Sequence, residues 1–428
     1  MGFIHEHIIL PLSDLVKGER VHYYLRQLCE AETWNDAEMK CFQEKRFREL
    51  VQYVSKEVPF YRDWFDVCGL RPNEIPLEEL PIVSKSLMRK EGIEQFASES
   101  FPKNQRVVSH SSGSTGEPFV FYESKLSYSV NMASKLRTWY QAGYQLGDKY
   151  LKITNSPRHG MLKIWQDRLN NCIYIPFQSI NNQTLKTISE LIEKKRPTMI
   201  RSYPAPLFLL AQFRRSHPEY SFSPKHLMTT GATLSDAYRK IMEHAFCCDV
   251  IDSYSCEGTP NTYETPVHDG YQVSGYYGII EILDNNNCPI TNGIGRVVST
   301  DLWNYAMPFM RYDTQDLVEV KDGRIIRVVG RESDVLIGDN GEMFTNHNFS
   351  HYFLFEIDAV ETYQIVKRRD RSVVFRLVVN NRYNDKIEKE IIQYWNNKLG
   401  APVYVEVMDC IPLMNNNKRK VIVNEGAE

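Results

Sequence analysis

A chain of 428 residues, 42% hydrophobic and 25% charged, is too long for one small core and has the balance of a globular protein folded in water. A formal net charge of -3 excludes a nucleic-acid binder that relies on a large basic excess. No apolar run approaches the roughly 20 residues that span a bilayer, so no membrane span is expected.

Two domains are the expectation for this length. Met1-Gly2-Phe3-Ile4-His5-Glu6-His7 lacks the basic flank and apolar core of a signal peptide, and Glu6 stands where a myristoylation motif carries Ser or Thr. Nine cysteines, an odd number without a Cys-x-x-Cys pair, fit reduced thiols and a cytoplasmic protein.

From Asn35 to Lys56 the residues Met39, Phe42, Phe47, Leu50, Val51 and Val54 recur at helical spacing, and Pro59 ends the run. Val107-Val108 and Phe119-Val120-Phe121-Tyr122 flank the polar run Ser111-Ser112-Gly113-Ser114-Thr115-Gly116-Glu117-Pro118. Lys125–Ala142 reads as a helix and Lys149–Thr154 as a strand. Helices follow at Thr184–Lys195, Pro204–Arg215 and Ser235–Phe246, with Ser235 a fitting N-cap. Short strands at Met199–Ser202, His226–Thr229 and Val250–Ser253 alternate with them. That alternation implies βαβ units and a mostly parallel sheet, whose ligands bind beyond the carboxyl ends of the strands.

From about Tyr271 the pattern changes to short β segments at Gly278–Leu283, Gly295–Thr300, Leu317–Lys321 and Arg324–Val329, with Asp322-Gly323 as a turn. They imply a β-barrel-like antiparallel subdomain. Asp358–Val366, Val373–Val379, a helix at Asp385–Lys398 and Val403–Val407 make a small α+β unit at the end of the chain. The expected class is α/β.

Glycines and hydroxyls in the run Ser111, Ser112, Gly113, Ser114, Thr115 and Gly116 suit a phosphate, because Gly lets backbone come close and successive N–H groups form a concavity. The Lys that a Walker A loop requires is missing. An ordinary polar hairpin turn is the alternative. Cys247-Cys248, Cys256 and His268 raise the question of zinc, but Tyr263–His268 supplies none of the further thiolates a closed site needs, so no structural zinc is expected.

Further segments follow in order. They are Ser253-Tyr254-Ser255-Cys256-Glu257, the stretch Pro308–Asp316 containing Arg311, Gly330-Arg331-Glu332-Ser333-Asp334, and Asn416-Asn417-Lys418, preceded by Phe47–Phe65 and Leu80–Lys85. In kind, order and spacing these segments resemble the phosphate loop, acidic, ribose, hinge and terminal-lysine motifs of the adenylate-forming (acyl-CoA synthetase-like) superfamily. The nearest resemblance is to its phenylacetate–CoA ligase and CapK-like branch, and it spans nearly the whole chain.

The resemblance implies a large N-terminal domain at 1–330 with mostly parallel sheets and the barrel-like part, a hinge at 331–334 and a small α+β lid at 335–428. It implies activation of a small-molecule carboxylate by ATP to an acyl-adenylate, with Mg²⁺ and release of pyrophosphate. The acyl group then passes to an acceptor, with CoA expected. Ser111 through Gly116 would hold the β- and γ-phosphates, and Gly231 and Ala232 would border the adenine with Ser253 and Tyr254. Ser255 and Cys256 would lie at the α-phosphate, Glu257 would hold Mg²⁺, and Asp316 would accept the ribose hydroxyls. Arg331 would bind ribose or phosphate, Arg311 would be structural, Ser333 and Asp334 would form the hinge, and Lys418 would be the catalytic lysine.

This chain departs from the family pattern at Glu117, at Tyr254 in place of Gly, at Cys256 in place of a hydroxyl residue, and at Asn417 in place of Gly. Those departures keep open a non-catalytic paralogue that binds nucleotide or a partner. The CapK-like resemblance keeps open a second enzyme reading, transfer to a carrier-protein thiol or to an amine or hydroxyl in polysaccharide assembly. The expected acyl-pocket wall includes Trp139, Tyr140, Pro157-Arg158-His159-Gly160 and Tyr203-Pro204.

Overall fold

The computed structural model describes residues 2–110, 119–154, 160–176, 182–331, 335–339, 341–357, 359–411 and 420–425. Two compact units emerge, one of Met1–Lys149, Arg168–Asn171 and Ile251–Arg327, the other of Tyr150–Asp167, Cys172–Val250 and Val328–Glu428. The class is α/β, as the alternating pattern implies.

In the first unit the helix Asp36–Glu57 starts at a capping box. The Glu38 amide donates to Asn35 Oδ1 at 3.0 Å, and the Asn35 amide donates to the Glu38 carboxylate at 2.8 Å. Pro59 stops this helix and opens the next, Pro59–Cys68, at a position where its missing N–H costs nothing. Phe47, Leu50, Val51 and Val54 form the buried face and share one apolar cluster with Tyr61, Phe96, Phe119 and Tyr312.

The antiparallel segments expected after Tyr271 form a sheet in this unit. Gly278–Leu283 pairs with Gly293–Asp301, which pairs with Tyr312–Lys321, and the latter also pairs with Arg324–Arg331. Val83–Ser84 joins Tyr312–Lys321 in parallel, with Val83 opposite Tyr312. Arg311 at the head of that strand donates to both oxygens of Glu281, at 3.0 and 2.9 Å, and to the carbonyls of Glu78 and Leu80. It is a buried cation that ties the N-terminal loop to the sheet, the structural role expected of it.

The strand Tyr312–Lys321 begins well before Leu317, where apolar alternation would start it. Asp313, Thr314 and Asp316 disguise its first half, since they are polar yet buried. Arg296 pairs with Asp313, and Thr314 Oγ1 donates to the Val297 carbonyl at 2.9 Å, so their burial leaves no group unmatched.

Arg106–His110 and Val120–Ser124 form an antiparallel pair with His110 opposite Val120, so the Ser/Gly run connects the two arms of a hairpin. The run itself lies outside the described residues. Lys125–Gln141 follows as a helix capped by Ser124, whose hydroxyl accepts from the Ser127 amide.

The second unit holds a parallel sheet in the order Cys172–Pro176, Tyr150–Thr154, Met199–Ser202, His226–Thr230. Helices Asn182–Lys195, Pro204–Arg215 and Asp236–Phe246 connect and follow these strands, the last capped by Ser235 as expected. Leu151, Ile200, Phe208, Leu227 and Met242 are in its core, where Phe208 stacks on Tyr238 at 4.0 Å between centroids. Its C-terminal part has a four-stranded sheet in the order Val403–Val407, Val373–Val379, Val360–Lys367, Ile422–Asn424. The helix Asp385–Leu399 brings Trp395 into a core with Phe349, Phe353 and Phe375. Among the described residues no helix is long and apolar enough to cross a membrane.

Candidate active site

The strand Asp249–Tyr254 leads into the acidic segment. Its last residue, Tyr254, is only 8% exposed and donates its hydroxyl to Asp316 Oδ2 at 2.9 Å. Asp316 is itself 8% exposed, and its amide donates to Thr314 Oγ1 at 3.1 Å. Burial, followed by the neighbouring Asp316 charge, pushes the Tyr254 phenol well above its ordinary range, so it stays a donor. The structure thus brings two candidate residues together, and the tyrosine that stands in place of a glycine has a partner. Sequence reasoning saw the replacement and missed its contact.

Beyond Tyr254 the backbone turns at Gly258, φ 64°. A Cβ there would collide with Phe309, so both the conformation and the space require glycine. The Ser299 hydroxyl donates to the Gly258 carbonyl at 3.1 Å, and Asn261 donates from Nδ2 to Asn131 Oδ1 at 3.2 Å. These bonds fix the loop that carries Ser255, Cys256 and Glu257. The Cys256 thiol donates to Glu257 Oε2 at 2.9 Å.

Ser255, Cys256 and Glu257 line a cavity of about 410 Å³. Ser109 and His110, the last residues before the Ser/Gly run, line it too. So do Tyr128, Asn131 and Lys135, which recur on one face of Lys125–Gln141. Glu123 and Asp301 complete its acidic wall. Burial, with a lesser push from Glu123, raises Asp301 to about 7. Neither acid was singled out by the sequence, although period-2 spacing after Phe119 and Phe121 places Glu123 on the buried face.

Among the described residues no group of three His, Cys, Asp or Glu could hold a metal ion. A single carboxylate opening on a cavity does fit a hard cation whose other ligands are phosphate oxygens and water.

Gly231 and Ala232 belong to the second unit, after the strand His226–Thr230. Gly231 has φ 72°, and a Cβ on it would lie 2.8 Å from Tyr203 Cε1. Thr233 Oγ1 would be 3.1 Å from a Cβ on Gly330, so this loop runs beside the strand end that carries Arg331. Ser111, Ser112, Gly113, Ser114, Thr115, Gly116, Ser333, Asp334 and Lys418 lie outside the described residues, as do Glu117, Asn417 and Pro157-Arg158-His159. Trp139 and Tyr140, expected in the acyl-pocket wall, do not line the cavity. Trp139 instead packs edge-on against Tyr144.

No family model matches the chain. Protein CapK of Staphylococcus aureus is 24% identical over 459 aligned residues, covering 99% of both chains. A phenylacetate-coenzyme A ligase of Thermus thermophilus is 25% identical over 371 residues, covering 80% of this chain and 81% of that one. Among solved structures, a 2-hydroxyisobutyryl-CoA ligase in its postadenylation state superposes with a TM-score of 0.74 at 18% identity, over 92% of this chain and 90% of that one.

Proposed function

Because this chain belongs to the adenylate-forming superfamily, on the branch of CapK and the phenylacetate–CoA ligases, we propose that it is an AMP-forming carboxylate ligase. The placement of Glu257 and of the strand end Ser109-His110 on one cavity carries this reading. It puts the acidic segment and the entry to the Ser/Gly run around a common space.

In the proposed reaction a substrate carboxylate oxygen attacks the α-phosphorus of ATP. The bond to the bridging oxygen breaks, and its electron pair leaves with pyrophosphate. The CoA thiolate then attacks the acyl carbon, forming the thioester and expelling AMP. Little covalent help is needed from the protein, so positioning and charge neutralisation are its task.

Asp316, steadied by Tyr254, accepts from the ribose, and Gly231 and Ala232 border the base. Ser111 through Gly116 hold the β- and γ-phosphates, and Arg331 binds ribose or phosphate. Lys418 bridges the carboxylate and the α-phosphate. Glu257 is the residue that would hold Mg²⁺, which when bound neutralises charge on phosphate oxygens. Ser333 and Asp334 form a hinge between a core at 1–330 and a lid at 335–428. The cysteine pattern supports a cytoplasmic setting.

A carrier-protein thiol or a sugar amine or hydroxyl is the second acceptor reading. The exposed acids Asp339 and Glu342 favour it, because they would repel the phosphates of CoA near the lid. The test is exchange of labelled pyrophosphate into ATP across a carboxylate panel, followed by mass spectrometry with CoA. Exchange with thioester formation supports the ligase. Exchange without a thioester, where a carrier or amine is acylated, selects the second acceptor. No exchange with any acid would leave a nucleotide-binding paralogue.

A further inference from the structure

The wall of the cavity beside Glu257 carries more buried acceptor capacity than the proposed chemistry uses. Glu123 lies on Val120–Ser124 at 6% exposure, and Asp301 ends Gly293–Asp301 at 2%. Glu123 Oε2 accepts from the Ser109 hydroxyl, while Oε1 has only a 3.4 Å contact with Asn131 Nδ2 among the described residues. Asp301 Oδ1 accepts from the Trp303 amide at 2.7 Å, while Oδ2 has a 3.4 Å contact with the Tyr277 hydroxyl. Among the described residues, each of these two cavity-lining carboxylates thus holds one oxygen by a contact of 3.4 Å, with the Asn304 amide as a further backbone donor to Asp301.

A buried acceptor left dry opposes whatever dries it. An aryl or alkyl group filling this cavity would displace water from both oxygens and return no donor. Hydroxyl or ammonium groups on the occupant would meet them directly. Phe121 and Phe309, in edge-to-face contact at 5.6 Å, add an apolar part to the same lining.

We infer that the cavity selects a carboxylic acid whose body carries hydrogen-bond donors, hydroxyl or amine, over an apolar acid of the same size, with Glu123 and Asp301 as the specificity-determining residues. This inference rests on the carboxylate-activating reading above.

The experiment uses the full chain and a panel of short hydroxy and amino acids, each paired with the apolar acid of equal carbon count. Pyrophosphate exchange is measured with ATP, and binding is measured by calorimetry without it. Donor-bearing acids should exceed their apolar partners by about a hundredfold or more in kcat/KM, since a site built to hydrogen-bond a substrate rejects the analogue lacking that group. Glu123→Leu should bring that ratio below about tenfold while the KM for ATP holds, an outcome that a general structural defect would not give. Glu123→Gln and Asp301→Asn, closer in shape, provide the same comparison if the leucine variant does not fold.

Exchange with equal or greater preference for apolar acids overturns the inference and upholds the ligase reading. If no acid exchanges, the ligase reading falls and calorimetry decides the inference. Binding of donor-bearing acids that weakens in Glu123→Gln sustains the selective cavity, and no such binding overturns it.

Discussion

At the residue scale, the Tyr254–Asp316 contact is the sharpest object in the site. A bond to a charged, buried acceptor is worth about 1.5–3 kcal/mol. Tyr254→Phe should lower unfolding stability by about that amount and weaken ATP binding several-fold. Asp316→Asn should weaken ATP binding further, and calorimetry checks both. Wild-type ATP affinity in a well-folded Asp316→Asn would remove the ribose assignment. Asp301 gives a pH prediction. Its folded value is raised from 3.8 to about 7, so the folded state holds the proton longer than the unfolded chain. The two states match below about 4, and the penalty for ionising a buried group grows until about 7. Stability therefore falls as pH rises through that window. Asp301→Asn should flatten the melting-temperature profile there and melt above wild type at pH near 8. A parallel profile would deny the shift.

Elements were legible where burial followed a simple period. The helix Asp36–Glu57 shows that pattern in Phe47, Leu50, Val51 and Val54, whereas the strands Gly278–Leu283, Val373–Val379 and Val403–Val407 were legible from short apolar, β-branched runs and not from alternating burial. The first half of Tyr312–Lys321 was not legible, because its buried residues are polar and are matched by distant partners such as Arg296. The candidate site was legible only through motif likeness. That likeness gave Glu257 and Asp316 but neither Tyr254's partner nor the acids of the cavity wall, which depend on strands far apart in sequence. The loop carrying Glu257 depends on one backbone turn. Gly258→Ala would add strain at φ 64° and a collision with Phe309. It should cost about 1–3 kcal/mol in denaturant unfolding and most of the exchange activity. Full activity with unchanged stability would mean that the loop tolerates a different path.

At the scale of the whole molecule, adenylation by this chain should depend on Lys418 without the fold doing so. The basic run Asn417-Lys418-Arg419-Lys420 is proposed to serve the reaction and not the fold. Lys418→Ala should keep its melting temperature and lose exchange. Equal losses in Arg419→Ala and Lys420→Ala would instead indicate a diffuse basic patch. The parallel pairing of Val83 with Tyr312 has a different consequence, which concerns synthesis. The first unit is discontinuous, since Met1–Lys149 must wait for Ile251–Arg327, whereas the four parallel strands of the second lie between Tyr150 and Thr230. At ~5–20 residues per second, the aromatic faces of the early helices stay uncovered on the ribosome for on the order of ten seconds. A nascent chain halted after Lys149 should therefore be protease-sensitive and engage chaperones, while one released past Arg331 should become resistant in that same region.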